Sequence, residues 1–306
     1  MTTTTDRSGQ ADPATLPVPD ARGAALGAAL AGPLVSTQWL CDHLGSEGLV
    51  VVDATVVAAP DPDGRVGYRS GAERYRDGHV PGAVFADLLD PFSDPTGRFP
   101  FTRPGAEAFA AAAAALGVDA DTTVVIYDAA VGQWASRLWW LFRSFGHDRV
   151  AVLDGGVTKW SSEGRPLETG DVAPRHAGLL PVAELPGFWS DRDDVAAVLS
   201  GDRAGTLICG APPRDFAARH LPGSVSAPAV RLVDPETNAF LPPAELRRLF
   251  ADVLSSSDPI VAYCGAGIAA AADGLALALL GRDDVTVYDG SLTEWVSDPE
   301  APLARL

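Results

Sequence analysis

Short runs of apolar, mostly β-branched residues alternate along the chain with longer segments rich in alanine and leucine. In the first half, residues 49–53 and 124–127 are almost entirely apolar, which is typical of strands buried on both faces of a parallel sheet. Residues 105–116 have the composition of a helix, and Gly117 provides a C-terminal stop. Strands and helices that alternate in this way predict βα units around a mostly parallel sheet.

The second half of the chain carries the same alternation. We predict strands in it over residues 206–208, 260–263 and 285–288. We predict helices in it over residues 191–199, 243–254 and 269–280. The predicted fold class is therefore α/β, with two domains that each consist of a mostly parallel sheet flanked by helices.

Several short motifs occur twice, in the same order and at nearly the same separation. His-Val-Pro-Gly-Ala at residues 79–83 returns as His-Leu-Pro-Gly-Ser at residues 220–224. The apolar run that ends at Tyr127 returns as the run that ends at Tyr263, and an Asp-Gly turn before a Trp follows each of them. An internal repeat of this kind indicates a duplicated unit, and hence two domains in tandem.

Composition sets the boundaries of these domains. Residues 1–33 are rich in Thr, Ala, Gly and Pro, which predicts a disordered N-terminal tail. Residues 166–187 are rich in Pro, Gly and acidic residues, which predicts a linker. The predicted domains therefore cover residues 34–165 and 188–306.

Charge and cysteine content narrow the class of protein. A formal net charge of -17 should repel nucleic acid and anionic membranes, so we predict neither as a partner. The three cysteines, Cys41, Cys209 and Cys264, are too few for a secreted disulfide framework, which favours a cytoplasmic protein. The five histidines are scattered rather than clustered at ligand spacing, so we predict no metal and no cofactor.

Cys264 is the strongest candidate for chemistry. It follows the predicted strand 260–263 and precedes Gly-Ala-Gly and a predicted helix, which places its thiol at a strand-to-helix turn. Ligands of α/β proteins bind beyond the carboxyl ends of the strands, where helix N-termini offer unpaired N–H groups. Because such groups stabilise a thiolate, we predict that Cys264 is a nucleophile.

Two other interpretations of Cys264 are open at this point. The residue could be a small apolar side chain that packs in the core, which is the common fate of a cysteine. The loop could also belong to a cysteine phosphatase, whose oxyanion needs a bidentate Arg six residues after the cysteine. That position is Ala270, which counts against phosphoryl chemistry.

The segment 264–270 resembles the active-site loop of the thiosulfate and 3-mercaptopyruvate sulfurtransferases, which are tandem rhodaneses. The repeated His-x-Pro-Gly motif, residues 139–143 and both Asp-Gly turns resemble the same family. Only the second repeat is catalytic in these proteins, and Asp128 stands here at the cysteine position of the first repeat, so the resemblance implies a non-catalytic first domain. The resemblance implies Cys264 as the catalytic residue and a substrate- and persulfide-binding loop formed by Gly265, Ala266, Gly267, Ile268, Ala269 and Ala270.

Some positions depart from the family pattern. The second repeat of family members usually begins with a strand that ends in Asp-x-Arg, whose Arg helps to hold the anionic donor, whereas residues 209–211 read Cys-Gly-Ala. Ala266 and Ala269 replace a Ser and a Thr of the mercaptopyruvate enzymes. Arg214 and Arg219 lie close to the missing Arg in the sequence, and they are our candidate anion-binding residues.

The resemblance implies transfer of a sulfane sulfur from thiosulfate or 3-mercaptopyruvate through a persulfide on Cys264. The acceptor would be a thiophile such as cyanide, a thiol or thioredoxin. The altered residues leave a second hypothesis open, in which the chain is a catalytically weakened tandem rhodanese that serves as a binding or regulatory module.

Overall fold

A computed structural model describes residues 30–60, 66–176 and 178–306. Most of the predicted tail, residues 1–29, lies outside the described part of the chain. Within the described part, no helix is long and apolar enough to cross a bilayer. We call residues 34–165 the first half and residues 188–306 the second half; where the domains begin and end stays a prediction.

The first half contains a five-stranded parallel sheet and a separate hairpin. Its strands are β1 (Leu34–Val35), β2 (Leu49–Asp53), β3 (Val56–Pro60), β4 (Val66–Ser70), β5 (Val84–Phe85), β6 (Thr123–Tyr127) and β7 (Val150–Leu153). The sheet has the order β1-β7-β6-β2-β5, and β3 pairs with β4 as an antiparallel hairpin. The helices are α1 (Thr37–His43), α2 (Ala72–Asp77), α3 (Ala106–Ala115), α4 (Gln133–Ser144) and α5 (Gly156–Ser162).

The second half repeats this sheet. Its strands are β8 (Trp189–Ser190), β9 (Thr206–Cys209), β10 (Val225–Ser226), β11 (Ile260–Tyr263) and β12 (Val285–Tyr288). They are all parallel. Their order, β8-β12-β11-β9-β10, matches the order β1-β7-β6-β2-β5 of the first sheet strand for strand. The helices are α6 (Arg192–Ser200), α7 (Pro213–Ala218), α8 (Pro243–Leu249), α9 (Ala251–Leu254), α10 (Ala269–Leu279) and α11 (Ser291–Trp295). The predicted α/β fold with two mostly parallel sheets is confirmed.

One helix that we predicted as continuous is divided in the structure. The prediction over residues 243–254 is divided into α8 and α9 at Phe250, where φ is -95° and ψ is 16°. Phe250 is 1% exposed, so its ring lies in the core. The Phe250 N–H still donates to Leu246 at 3.0 Å, and the Leu254 N–H donates to Phe250 at 2.8 Å, so the division is a local change in backbone angles at a residue packed in the core.

The two halves share one hydrophobic core through helices α4 and α10. The largest cluster of buried side chains includes residues from both halves. At the contact between the helices, an ideal Cβ built on Gly274 would lie 2.6 Å from the ring of Trp140, closer than real carbon atoms approach. Glycine at position 274 therefore lets α10 approach the first half, and α10 is the helix that follows Cys264.

Each half also binds the Asp-Gly turn of the other half through a backbone N–H group. The carboxylate of Asp154 in the first half accepts the N–H of Phe240 at 2.8 Å. The carboxylate of Asp289 in the second half accepts the N–H of Arg103 at 3.0 Å. These reciprocal bonds relate the halves as a pseudo-symmetric pair, and they fix the turn next to each strand-to-helix loop.

Candidate active site

Two equivalent loops follow the central strands of the two sheets. In the first half, residues 128–132 connect β6 to α4; in the second half, residues 264–268 connect β11 to α10. The strand-to-helix turn predicted for Cys264 is therefore present. The Cys264 side chain is buried, while the next residue, Gly265, is exposed, and an ideal Cβ on it meets no atom within 4 Å. The second-half loop opens to solvent one residue past the thiol.

The first-half loop is filled by its own side chain. Oδ1 of Asp128 accepts the backbone N–H groups of Ala130 and Gly132 at 2.8 and 3.1 Å. Oδ2 accepts those of Trp134 and Ala135, both at 2.9 Å. Burial raises the pKa of Asp128, and these four N–H groups oppose that rise. The loop is thus an anion-binding nest whose occupant is the carboxylate at the position that Cys264 takes in the second half.

In the second-half loop, no carboxylate accepts the backbone N–H groups, and most of them have no acceptor among the described residues. The hydroxyl of Ser291 accepts the N–H groups of Cys264 and Gly267, at 3.1 and 3.0 Å. The remaining N–H groups of the predicted loop have no acceptor among the described residues, and we call them the free N–H groups; they belong to Gly265, Ala266, Ile268, Ala269 and Ala270. A loop of this kind can bind a small anion or a negatively charged sulfur.

Arg137 of α4 ties the first half to this loop. Its guanidinium donates to the Asp289 carboxylate at 2.6 Å and to the carbonyl oxygens of Phe101 and Gly267 at 2.8 and 3.4 Å. The same guanidinium lies 4.8 Å from the ring centroid of Trp189. Arg137 is 1% exposed, so its charge is balanced inside the protein rather than by water.

An aromatic cluster from the first half lies beside the same site. Tyr68 on β4 makes edge-on contacts with Phe101 and Trp134, with ring centroids 5.6 and 5.2 Å away. Burial raises the pKa of Tyr68, and the charges of Cys264 and Asp215 raise it further. The carbonyl oxygen of its neighbour Phe101 accepts from Arg137, which also donates to Gly267 of the Cys264 loop. The hairpin of the first half therefore contributes to the surroundings of Cys264.

The other two cysteines lie in different environments. All three cysteines are free thiols. Cys209 is fully buried at the end of β9, and burial raises its pKa to about 12, so it remains a thiol at neutral pH. Cys41 lies exposed on α1. Of the three, Cys264 alone opens a loop with free N–H groups.

The predicted anion-binding residues are at the surface. Arg214, in the first turn of α7, and Arg219, directly after this helix, are both exposed. Neither guanidinium makes a hydrogen bond or an ion pair within the described part of the chain, so their role stays a prediction. Among the described residues, no group of three or more His, Cys, Asp or Glu side chains could hold a metal ion.

Comparison with known proteins identifies the family. The sequence model of the family described as the rhodanese-like domain matches residues 36–163 and 199–298. The chain belongs to the rhodanese-like family. It is 36% identical over 279 residues to the 3-mercaptopyruvate sulfurtransferase of Homo sapiens, which covers 86% of this chain and 91% of that protein. It is 32% identical over 302 residues to thiosulfate/3-mercaptopyruvate sulfurtransferase 1, mitochondrial, of Arabidopsis thaliana, which covers 89% of this chain and 78% of that protein.

A solved structure of the rhodanese-like family agrees with this assignment. The crystal structure of a 3-mercaptopyruvate sulfotransferase from Escherichia coli superposes with a TM-score of 0.76 at 32% identity, and covers 85% of this chain and 98% of that one. The predicted family and fold, and the predicted class of sulfurtransferase, are confirmed by these relatives.

Three residues beside the loop of this rhodanese-like chain were not predicted from the sequence. The first is Arg137, a charged residue within a strongly apolar helical segment, which is a signal for a buried ion pair. The second is Ser291, whose counterpart in the first repeat is a glycine. For the third, Tyr68, the sequence carries no signal, because the pairing of β3 with β4 brings it to the site.

A buried carboxyl group lies on α10 behind the Cys264 loop. Asp273 is 0% exposed, and neither of its oxygens has a hydrogen-bond partner among the described residues. An ideal Cβ on Gly210 would lie 2.4 Å from Oδ2 of Asp273, so glycine at position 210 makes room for this group. Burial raises the pKa of Asp273 well above its usual 3.8, which keeps the carboxyl group protonated and neutral as the pH rises above that value.

We expect Asp273→Asn to be more stable than the wild type at neutral pH, by about 1 kcal/mol or more. Above the usual pKa of an Asp, the unfolded chain loses the Asp273 proton while the folded chain keeps it, so wild-type stability falls as pH rises towards the raised pKa of the folded state. The Asn side chain does not titrate, and this slope disappears. Urea unfolding at several pH values between about 4 and 8 measures the difference. A difference in the free energy of unfolding between the two proteins that stays the same across this pH range would contradict the prediction.

Proposed function

We propose that this chain moves a sulfane sulfur from thiosulfate or 3-mercaptopyruvate to a thiophilic acceptor through a persulfide on Cys264. One observation carries the proposal. The first-half loop binds the Asp128 carboxylate through four backbone N–H groups, whereas the second-half loop of equal length has free N–H groups and begins with a thiol. The free N–H groups of the second loop would stabilise the charge on the sulfur that Cys264 receives.

The reaction proceeds in two displacements. The Cys264 thiolate attacks the outer sulfur of thiosulfate, a Cys–S–S bond forms, and sulfite leaves with the electron pair of the broken S–S bond. With 3-mercaptopyruvate the C–S bond breaks instead, and the pyruvate enolate takes up a proton. An acceptor such as cyanide, a thiol or thioredoxin then attacks the outer sulfur and restores the thiolate, which predicts ping-pong kinetics.

Local groups attract the donor against the net charge of the protein. A formal net charge of -17 repels a small anion at long range, so the free N–H groups must attract it at short range. We propose that Arg214 and Arg219, which are exposed and unpaired among the described residues, assist in capturing the donor. Three free thiols fit a reducing compartment, and we propose the cytoplasm.

Intact-mass measurement after incubation with each donor tests the proposal. We expect the wild type to gain one sulfur atom, and a later addition of cyanide or a thiol to remove it. Cys264→Ser should gain no sulfur and release neither sulfite nor pyruvate above background. Cys209→Ser is the matched control and should still load sulfur, because Cys209 is fully buried and remains a thiol.

The second candidate function is a binding or regulatory module without catalysis. The observation that favours it is the burial of Cys264, whose side chain is only 3% exposed. A wild-type chain that gains no sulfur from either donor would support the module and overturn the enzyme. A Cys264→Ser chain that releases pyruvate or sulfite at the wild-type rate would remove the persulfide mechanism.

A further inference from the structure

The Ser291 hydroxyl is fully committed to three hydrogen bonds next to Cys264. It donates to the carbonyl oxygen of Tyr288 at 2.7 Å, and this bond fixes the direction of its lone pairs. The two lone pairs accept the N–H groups of Cys264 and Gly267. Ser291 is 0% exposed, so water does not compete for these bonds.

The backbone at Ser291 adopts a conformation that favours glycine. Its φ is 49°, and the equivalent residue in the first half, Gly156, has a φ of 53°. Both residues begin the helix that follows the last strand of their half, so the two turns have the same geometry. Glycine would suit position 291 better, so serine carries a backbone cost there that its hydroxyl must offset.

A side chain is excluded at this position in the first half. An ideal Cβ on Gly156 would lie 2.3 Å from the carbonyl oxygen of Asp128, so no larger residue fits. The first-half loop is held from within by the Asp128 carboxylate instead. In the second half no side chain fills the loop, and Ser291 holds two of its N–H groups from the opposite side.

We infer that Ser291 is a positioning residue for Cys264. Its hydroxyl accepts hydrogen bonds from the N–H groups of Cys264 and Gly267 and so holds the loop in shape without filling it. The free N–H groups remain available to the sulfur. The inference deepens the proposed function and rests on it. The two halves thus hold the same loop in two ways, one with a carboxylate inside it and one with a hydroxyl behind it.

Two substitutions at position 291 separate positioning from stability. Ser291→Gly and Ser291→Ala both remove the hydroxyl, but only glycine relieves the positive φ, so the Gly variant should have the higher Tm of the two. If Ser291 positions Cys264, both variants should lose kcat for sulfur transfer to a similar extent, on the order of 10²-fold, with a smaller change in KM. If the role is structural alone, activity follows Tm, and the Gly variant keeps wild-type kcat.

Asn238→Gly is the matched control. Asn238 also has a positive φ, 57°, and its side chain donates to the first-half loop at the carbonyl oxygen of Ala130. Its side chain also donates to the Thr158 hydroxyl at 3.2 Å. We expect this variant to keep wild-type kcat, because both bonds that it loses are to the first half, which lacks a cysteine at the loop.

The rate of alkylation of Cys264 by iodoacetamide tests the inference without a sulfur donor. We expect Ser291→Gly to change this rate by about 10-fold or more, because the loop around the thiol loses its support. Wild-type alkylation and wild-type kcat in Ser291→Gly would overturn the inference. A wild type that loads no sulfur, combined with an altered alkylation rate in Ser291→Gly, would reject the proposed function and leave the positioning role standing.

Discussion

Replacing Arg137 by Met should lower the free energy of unfolding by about 3 kcal/mol and slow the sulfur loading of Cys264. The substitution leaves the Asp289 carboxylate without its cation, although the Asp289 side chain is only 15% exposed. It also removes the donors to Phe101 and Gly267, and Gly267 belongs to the loop that begins at Cys264. Both stability and reactivity should therefore fall, because one guanidinium serves the contact between the halves and the loop.

Denaturant unfolding and the mass gain per minute with thiosulfate measure the two effects separately. The double variant Arg137→Met/Asp289→Asn should recover part of the lost stability, since no unpaired charge remains buried. Arg143→Met is the control on the same helix, because Arg143 is half-buried and pairs with an exposed Asp148; it should cost about 1 kcal/mol or less. Equal losses in Arg137→Met and Arg143→Met would show that the buried pair with Asp289 has no special weight.

Replacing Asp128 by Ala should cost about 3 kcal/mol of stability, because four backbone N–H groups lose their acceptor at once. The emptied nest should then bind a small anion. We expect sulfate to raise the Tm of Asp128→Ala more than that of the wild type, since a ligand that binds only the folded state stabilises it. Thermal unfolding across a sulfate series at constant ionic strength measures this difference.

Asp234→Ala is the matched control for Asp128→Ala. Asp234 also accepts several N–H groups, from Glu236 and Thr237, but it lies near the surface, where water can replace the carboxylate. Its loss should be about 1 kcal/mol, with no added response to sulfate. A first-half loop that stays as stable without Asp128 as with it would show that the nest does not need an occupant.

Local patterns were enough to predict the frame of the site. The apolar run 260–263 followed by Cys264, two glycines and an alanine-rich helix predicts a strand, a turn and a helix start, and the structure has them at these positions. The repeat of the run before Asp128 predicts a second loop of the same kind. These features depend on residues that are close in sequence, so periodicity and glycine placement are sufficient to find them.

The groups that support the site depend on long-range contacts, which the sequence does not reveal. Arg137 binds Asp289, which is 152 residues away, and the apolar context of Arg137 signals a partner without naming it. The difference between Gly156 and Ser291 is visible when the repeats are aligned, but its meaning requires the positive φ at both positions. The break in the predicted helix likewise lies at a residue, Phe250, whose ring packs in the tertiary core.

The reciprocal N–H bonds to Asp154 and Asp289 have a consequence for each half taken alone. Neither half is self-sufficient, because the N–H donor to its Asp-Gly turn belongs to the other half. The half that carries Cys264, produced alone, would lose both the Arg103 N–H and the Arg137 guanidinium that Asp289 accepts. The half with Asp128 thus supplies a support that the half with Cys264 does not contain.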